Sequence, residues 1–111
     1  MKLISKKILT IAFSSFFLSI PGLTATVHEQ AFIIGILASE KCQVRKGENK
    51  TLLREMIKNE VKKMNISLEL LENDRLNKGA YQYSLDLNAA CSKSTLSGKA
   101  QETLLMKYIK E

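Results

Sequence analysis

Cys42 and Cys91 are the only cysteines in the chain, and an even, paired count points to a disulfide in an oxidising compartment. They stand 49 positions apart. By chain-entropy reasoning, closing a loop of that size stabilises a fold by about 4 kcal/mol. Against a domain stability of about 5–15 kcal/mol, that is a large share. Two free thiols or a metal pair are the alternatives. Metal fits poorly, because His28 is the only histidine and no Cys-x-x-Cys spacing exists. No metal ion or cofactor is expected.

Hydrolytic chemistry needs a nucleophile, a base and a group to orient the base. His28 sits beside Glu29 near the start of a helix, where a solvated or partly packed histidine is the ordinary outcome. The carboxylate pairs Glu69 and Glu72, or Asp74 and Asp86, read as solvated faces. The glycines are scattered singly, so no phosphate-cradling loop is present. The expectation is a protein that is not an enzyme.

Binding chemistry is better represented. Lys50, Arg54, Lys58 and Lys62 recur every four residues, which places them along one flank of a helix. Such a flank can contact anionic headgroups or a polyanion. It is more often a solvated edge whose stems cover apolar surface, and Glu55 and Glu60 dilute it. Tyr81 and Tyr83, with Gln82 and Asn88 nearby, are candidates to line a polar pocket, or simply to edge the core. Asn49-Lys50-Thr51 and Asn65-Ile66-Ser67 match the N-glycosylation pattern, which has meaning only in a eukaryotic secretory route.

These groups must be delivered and held. Lys2, Lys6 and Lys7 precede an uncharged apolar run from Ile8 to Ile20 that breaks at Pro21-Gly22. That is the layout of a signal peptide over residues 1–25, with Ala25 before the cut and Leu23 a poor match two positions earlier. An uncleaved anchor is the competing reading, but the run falls short of the roughly 20 residues a bilayer needs. The expected location is periplasmic or extracellular. Removing 25 of the 111 residues leaves 86, one small domain. Three of the 17 basic residues and none of the 11 acidic ones leave with it, so the balance falls from +6 to +3. Nucleic acid is therefore not an expected partner.

Residues 26–111 read as an all-α bundle of four to five helices. Thr26 and Glu29 have capping-box spacing, and the stripe Ala31, Ile34, Ala38, Cys42 follows. Phe32, Ile33, Ile36 and Leu37 make this helix apolar on nearly all sides, hence central, and Gly47 stops it. A buried strand over Phe32–Leu37 is the alternative. A second helix is predicted from Lys50 to Met64, with Leu53, Met56, Ile57, Val61 and Met64 on its apolar face and Asn65 as its stop. Ser67 caps a shorter third helix through Leu68, Leu71 and Leu76, ended by Lys78-Gly79. Ala80–Cys91 fits either a strand or a helix; lacking a partner strand, it is assigned as a helix. A last helix follows Ser94 or Ser97 and carries Ala100, Leu104, Leu105, Tyr108 and Ile109.

The thiols add a topological demand. Their Cα atoms must come within about 7 Å. Four helices in plain up-down order would put Cys42 and Cys91 at opposite ends, so the short third helix is expected to lie across the bundle.

Phe32-Ile33-Ile34-Gly35 leading to Cys42, and Asn88-Ala89-Ala90-Cys91 further on, resemble the layout of two groups of small exported helical proteins. One is the periplasmic acid-stress chaperones of the HdeA type; the other is the Tai-type periplasmic immunity proteins. The resemblance covers the layout of residues 26–111 and transfers no functional residue. It implies a protective or inhibitory protein of the bacterial cell envelope that binds another protein. Binding to an anionic membrane surface or polyanion through Lys50, Arg54, Lys58 and Lys62 is the alternative.

Overall fold

A computed structural model of the chain describes residues 25–111. The leader lies outside the described residues. Among those described, four α-helices and one 3-10 helix carry the fold: α1 (Ala25–Arg45), α2 (Lys50–Lys63), a 3-10 turn (Leu68–Glu72), α3 (Asp74–Ser84) and α4 (Gly98–Met106). The predicted all-α architecture with one Cys42–Cys91 disulfide is what is observed. None of these helices is long and apolar enough to cross a membrane.

The central helix is α1. At 1.5 Å per residue its 21 residues reach about 31 Å, most of the 35 Å longest dimension. Phe32, Ile33, Ile34, Leu37 and Ala38 are all fully buried, so no face of its middle turns is left to water. The helix already includes Ala25, so Thr26 lies inside it and not at a cap. Gly47 ends it as predicted, at φ +98°, with its N–H donating to the carbonyl of Val44 at 3.0 Å.

α2 follows the predicted span, with Leu53, Ile57 and Val61 buried. Asn49 caps it, its side-chain oxygen accepting from the Leu52 N–H at 2.9 Å. Met64, assigned to the apolar face, is instead exposed, and the chain turns away at Asn65 with φ +57°.

The largest departure begins after Ser67. The third helix expected to end at Lys78-Gly79 does not exist as one piece. Leu68–Glu72 is a short 3-10 turn, and Asn73 then caps a new helix by accepting from the Leu76 N–H at 2.9 Å. That helix runs straight through Gly79 to Ser84. Ala80–Cys91 is correspondingly not a helix beyond Ser84. Asn88 gathers the chain into a loop: its side-chain oxygen accepts from the Ser92 N–H at 2.9 Å, and its own N–H donates to Lys93 O at 2.8 Å. A single antiparallel bridge pairs Leu87 with Ser94. Ser97 then caps α4, accepting from the Ala100 N–H at 3.2 Å.

This revision changes the topology. Near the start of α1, Gln30 Oε1 accepts from Arg75 at the start of α3, at 3.0 Å. At the far end of α1, Arg45 donates to the Ser84 hydroxyl and carbonyl at the end of α3, at 3.0 Å each. The two helices therefore run in the same direction. The segment read as two helices holds only one, so α3 itself delivers the chain to the end of α1 where Cys42 waits. No helix need lie across the bundle. The bridge joins Cα atoms 5.7 Å apart, and Cys91 takes φ +58° to turn its side chain inward.

Candidate functional site

Most large apolar side chains of the described residues are buried, which makes the exceptions informative. The exposed ones are Met64, Tyr81 and Leu85, and the last two are one turn apart on the outer side of α3. Tyr81 is 52% and Leu85 53% exposed. Tyr81 also lines an open groove of about 360 Å³, with Asn77, Lys78, Gln82 and Tyr108.

The groove exists because α3 and the C-terminal segment are held at a close, fixed approach. Gly79 faces Tyr108 so tightly that a Cβ there would sit 2.8 Å from the Tyr108 Cβ and Cγ. The segment is clamped at the same point from the backbone. Gln30 Nε2 donates to Lys110 O at 2.6 Å, and Gln30 Oε1 accepts from Lys110 N at 2.9 Å. Arg75 Nη1 adds a donation to Tyr108 O at 2.6 Å. Ile109 is buried between these contacts.

The lining has a defined polarity. Both hydrogens of the Asn77 amide are committed, donating to Leu71 O and Asn73 O at 2.9 Å each. Its oxygen is left as the acceptor. Lys78 pairs with exposed Asp74 at 3.4 Å, a contact worth about 0–1 kcal/mol and readily exchanged. Two tyrosine rings, an amide oxygen and a mobile ammonium suit a partner's apolar side chains bordered by polar groups.

The predicted pocket of Tyr81, Tyr83, Gln82 and Asn88 is not assembled. Positions 81 and 83 are about 200° apart around a helix, so the two rings diverge. Tyr81 points out; Tyr83 is 4% exposed, its hydroxyl donating to Gln101 Oε1 at 2.8 Å. Burial pushes its pKa well above the ordinary tyrosine value, with a hydrogen bond from Ser94 opposing. Asn88 shapes the disulfide loop instead. Tyr108 and Ile109 fall on the stripe of the predicted last helix, but α4 ends at Met106 and both lie in the segment beyond it. No sequence signal marked Tyr108 as a partner for Tyr81, since the two are brought together by tertiary contact.

The basic flank is only partly available. Arg54 donates from Nε and Nη2 to both oxygens of Glu40, at 2.9 and 2.8 Å, and from Nη1 to Glu72 at 3.4 Å. Lys58 lies 3.9 Å from Glu55. Lys50 and Lys62 are exposed. The Asp74 and Glu72 carboxylates considered for acid–base work are thus engaged in surface pairs. His28 is half-buried in α1 and does not line the groove. Among the described residues, no cluster of His, Cys, Asp or Glu could hold a metal ion.

No family model, curated protein or solved structure matches this chain.

Proposed function

We propose that this is an exported, non-enzymatic binding protein of the bacterial cell envelope, protective or inhibitory, acting through protein–protein contacts. The observation that carries the reading is the exposure of Tyr81 and Leu85 one turn apart, with Tyr81 lining the groove of α3. The large apolar side chains elsewhere are mostly in the core, and aromatic side chains at a rigid surface are typical binding anchors. A leader with the pattern of a signal peptide and a buried disulfide both support export to an oxidising compartment such as the periplasm. The resemblance of the sequence layout to acid-stress chaperones and periplasmic immunity proteins supports the same class of role.

The test is site-specific photo-crosslinking in the exporting cell. A photoreactive aromatic residue at position 81 is expected to trap one defined protein, and the adduct should vanish when Leu85→Asp is added. The same probe at Asn59, an exposed position on α2, should trap none. Equal adducts at both positions, or none at 81, would count against the reading.

A further inference from the structure

Four cations are carried by the two helix ends that meet at the α1–α2 corner. Lys41 and Arg45 are one turn apart on α1, and Lys50 and Arg54 are one turn apart on α2. The bidentate Arg54–Glu40 contact locks the two helices together at this corner. Glu40 is 1% exposed and both of its oxygens are taken, so its charge is directed at Arg54. Among the described residues, no carboxylate pairs with Lys41, Arg45 or Lys50. Arg45 is held in place from the other side by the hydroxyl and carbonyl of Ser84. The connecting turn adds Lys46 and one carboxylate, Glu48, so the corner is preorganised and keeps an excess of positive charge.

We infer that Lys41, Arg45 and Lys50, braced by Arg54, form a binding site for phosphate-type anions at the α1–α2 corner. The binding is ionic: two ammonium groups and a fixed guanidinium close on the oxygens, and no bond is made or broken. The start of α2 adds the positive end of its dipole. The state of Lys41 agrees with this geometry. Burial lowers its pKa; Glu40 opposes the shift, and Lys50, Arg54 and Arg45 add to it. A bound anion would relieve that repulsion. The site differs from the flank suggested by sequence spacing, for it takes Lys41 and Arg45 from another helix and leaves out Lys58 and Lys62. It is also independent of the groove on α3.

Two sources share this chemistry, a soluble polyphosphate and a lipid headgroup. The oxidised, 15N-labelled protein is titrated with tripolyphosphate and, separately, with phosphatidylglycerol vesicles, at low salt and at about 0.5 M. The expected result is saturable binding to at least one of them, with tripolyphosphate shifting amides of residues 41–54 and affinity falling steeply with salt. Lys41→Gln with Lys50→Gln should weaken it by about tenfold or more, and Lys50→Gln alone by less; Lys58→Gln with Lys62→Gln should change it by less than about twofold. Binding to tripolyphosphate identifies the soluble source, and binding to vesicles alone identifies the headgroup. Absence of both, or equal loss in the two double variants, overturns the site. Lys50→Gln alters only an exposed side chain, so its result stands whether or not the Lys41 variant folds normally.

Discussion

The ring of Tyr108 occupies the space that a side chain at position 79 would need: a Cβ on Gly79 would lie 2.8 Å from the Tyr108 Cβ and Cγ. Two effects of Gly79→Ala oppose each other. Alanine favours a helix interior over glycine by about 1 kcal/mol. The clash is with the base of a side chain pinned by Arg75 and Gln30, so it cannot swing away, and overpacking of this kind costs about 1–3 kcal/mol. The clash should win. Chemical denaturation of Gly79→Ala is expected to show net destabilisation, and Gly79→Ala with Tyr108→Ala should recover the helix-propensity gain.

Arg54 and Glu40 make the second relationship with a measurable consequence. Removing one member of a fully buried ion pair costs about 3–5 kcal/mol, but Arg54 is 20% exposed and keeps access to water and Glu72. Glu40→Gln is therefore expected to lose about 1–3 kcal/mol. Glu40→Met with Arg54→Met should fall close to the parent, since both charges then leave together. A double-mutant cycle on the denaturation midpoint checks both statements.

The Gln30 side chain mimics a strand neighbour for Lys110, bonding to both its N–H and its carbonyl. Lys110 is exposed, so water can replace those bonds in Gln30→Ala. The stability loss should be modest, about 1–2 kcal/mol. Local protection should change far more. Amide exchange at Lys110 and Ile109 is expected to accelerate toward the rate of a free chain end, while exchange within α1 holds.

Tyr83 predicts an alkaline limit to stability. Its folded pKa is raised by burial, so above about pH 10 the unfolded chain loses the phenolic proton while the folded chain keeps it. The unfolded state then binds fewer protons, and stability falls as pH rises. The contribution is complete below about pH 10 and is lost progressively above it. Melting temperatures of the parent should drop across this window. Tyr83→Phe should start lower, having lost the bond to Gln101, and show a shallower alkaline decline.

Where the fold was legible, a local signal and the tertiary structure agreed. The apolar belt of α1, the stop at Gly47 and the span of α2 need only neighbours in sequence. Cys42 and Cys91 were legible because only one intramolecular pairing was possible. Gly79 misled, because a glycine after a lysine reads as a helix stop. Here it sits mid-helix to admit Tyr108, a contact 29 positions away that periodicity does not reveal. Asn73 was passed over as a cap since Ser67 offered one six residues earlier, and the chain uses both. The groove was invisible for the same reason as Gly79: its two rings come from α3 and the C-terminal segment.

The disulfide divides the molecule into a covalent ring and two arms, one before Cys42 that carries most of α1 and one after Cys91. Residues 42–91 close the ring, which contains α2, the 3-10 turn and α3. α4 and Tyr108 belong to the C-terminal arm, attached to the ring at Cys91 alone and otherwise held by packing and hydrogen bonds. A cut anywhere in the ring leaves its pieces tied together. A cut between Ser92 and Ser97 severs this arm from the rest of the chain, and only non-covalent contacts then keep Tyr108 against Gly79. One wall of the groove is thus detachable, and the other is not.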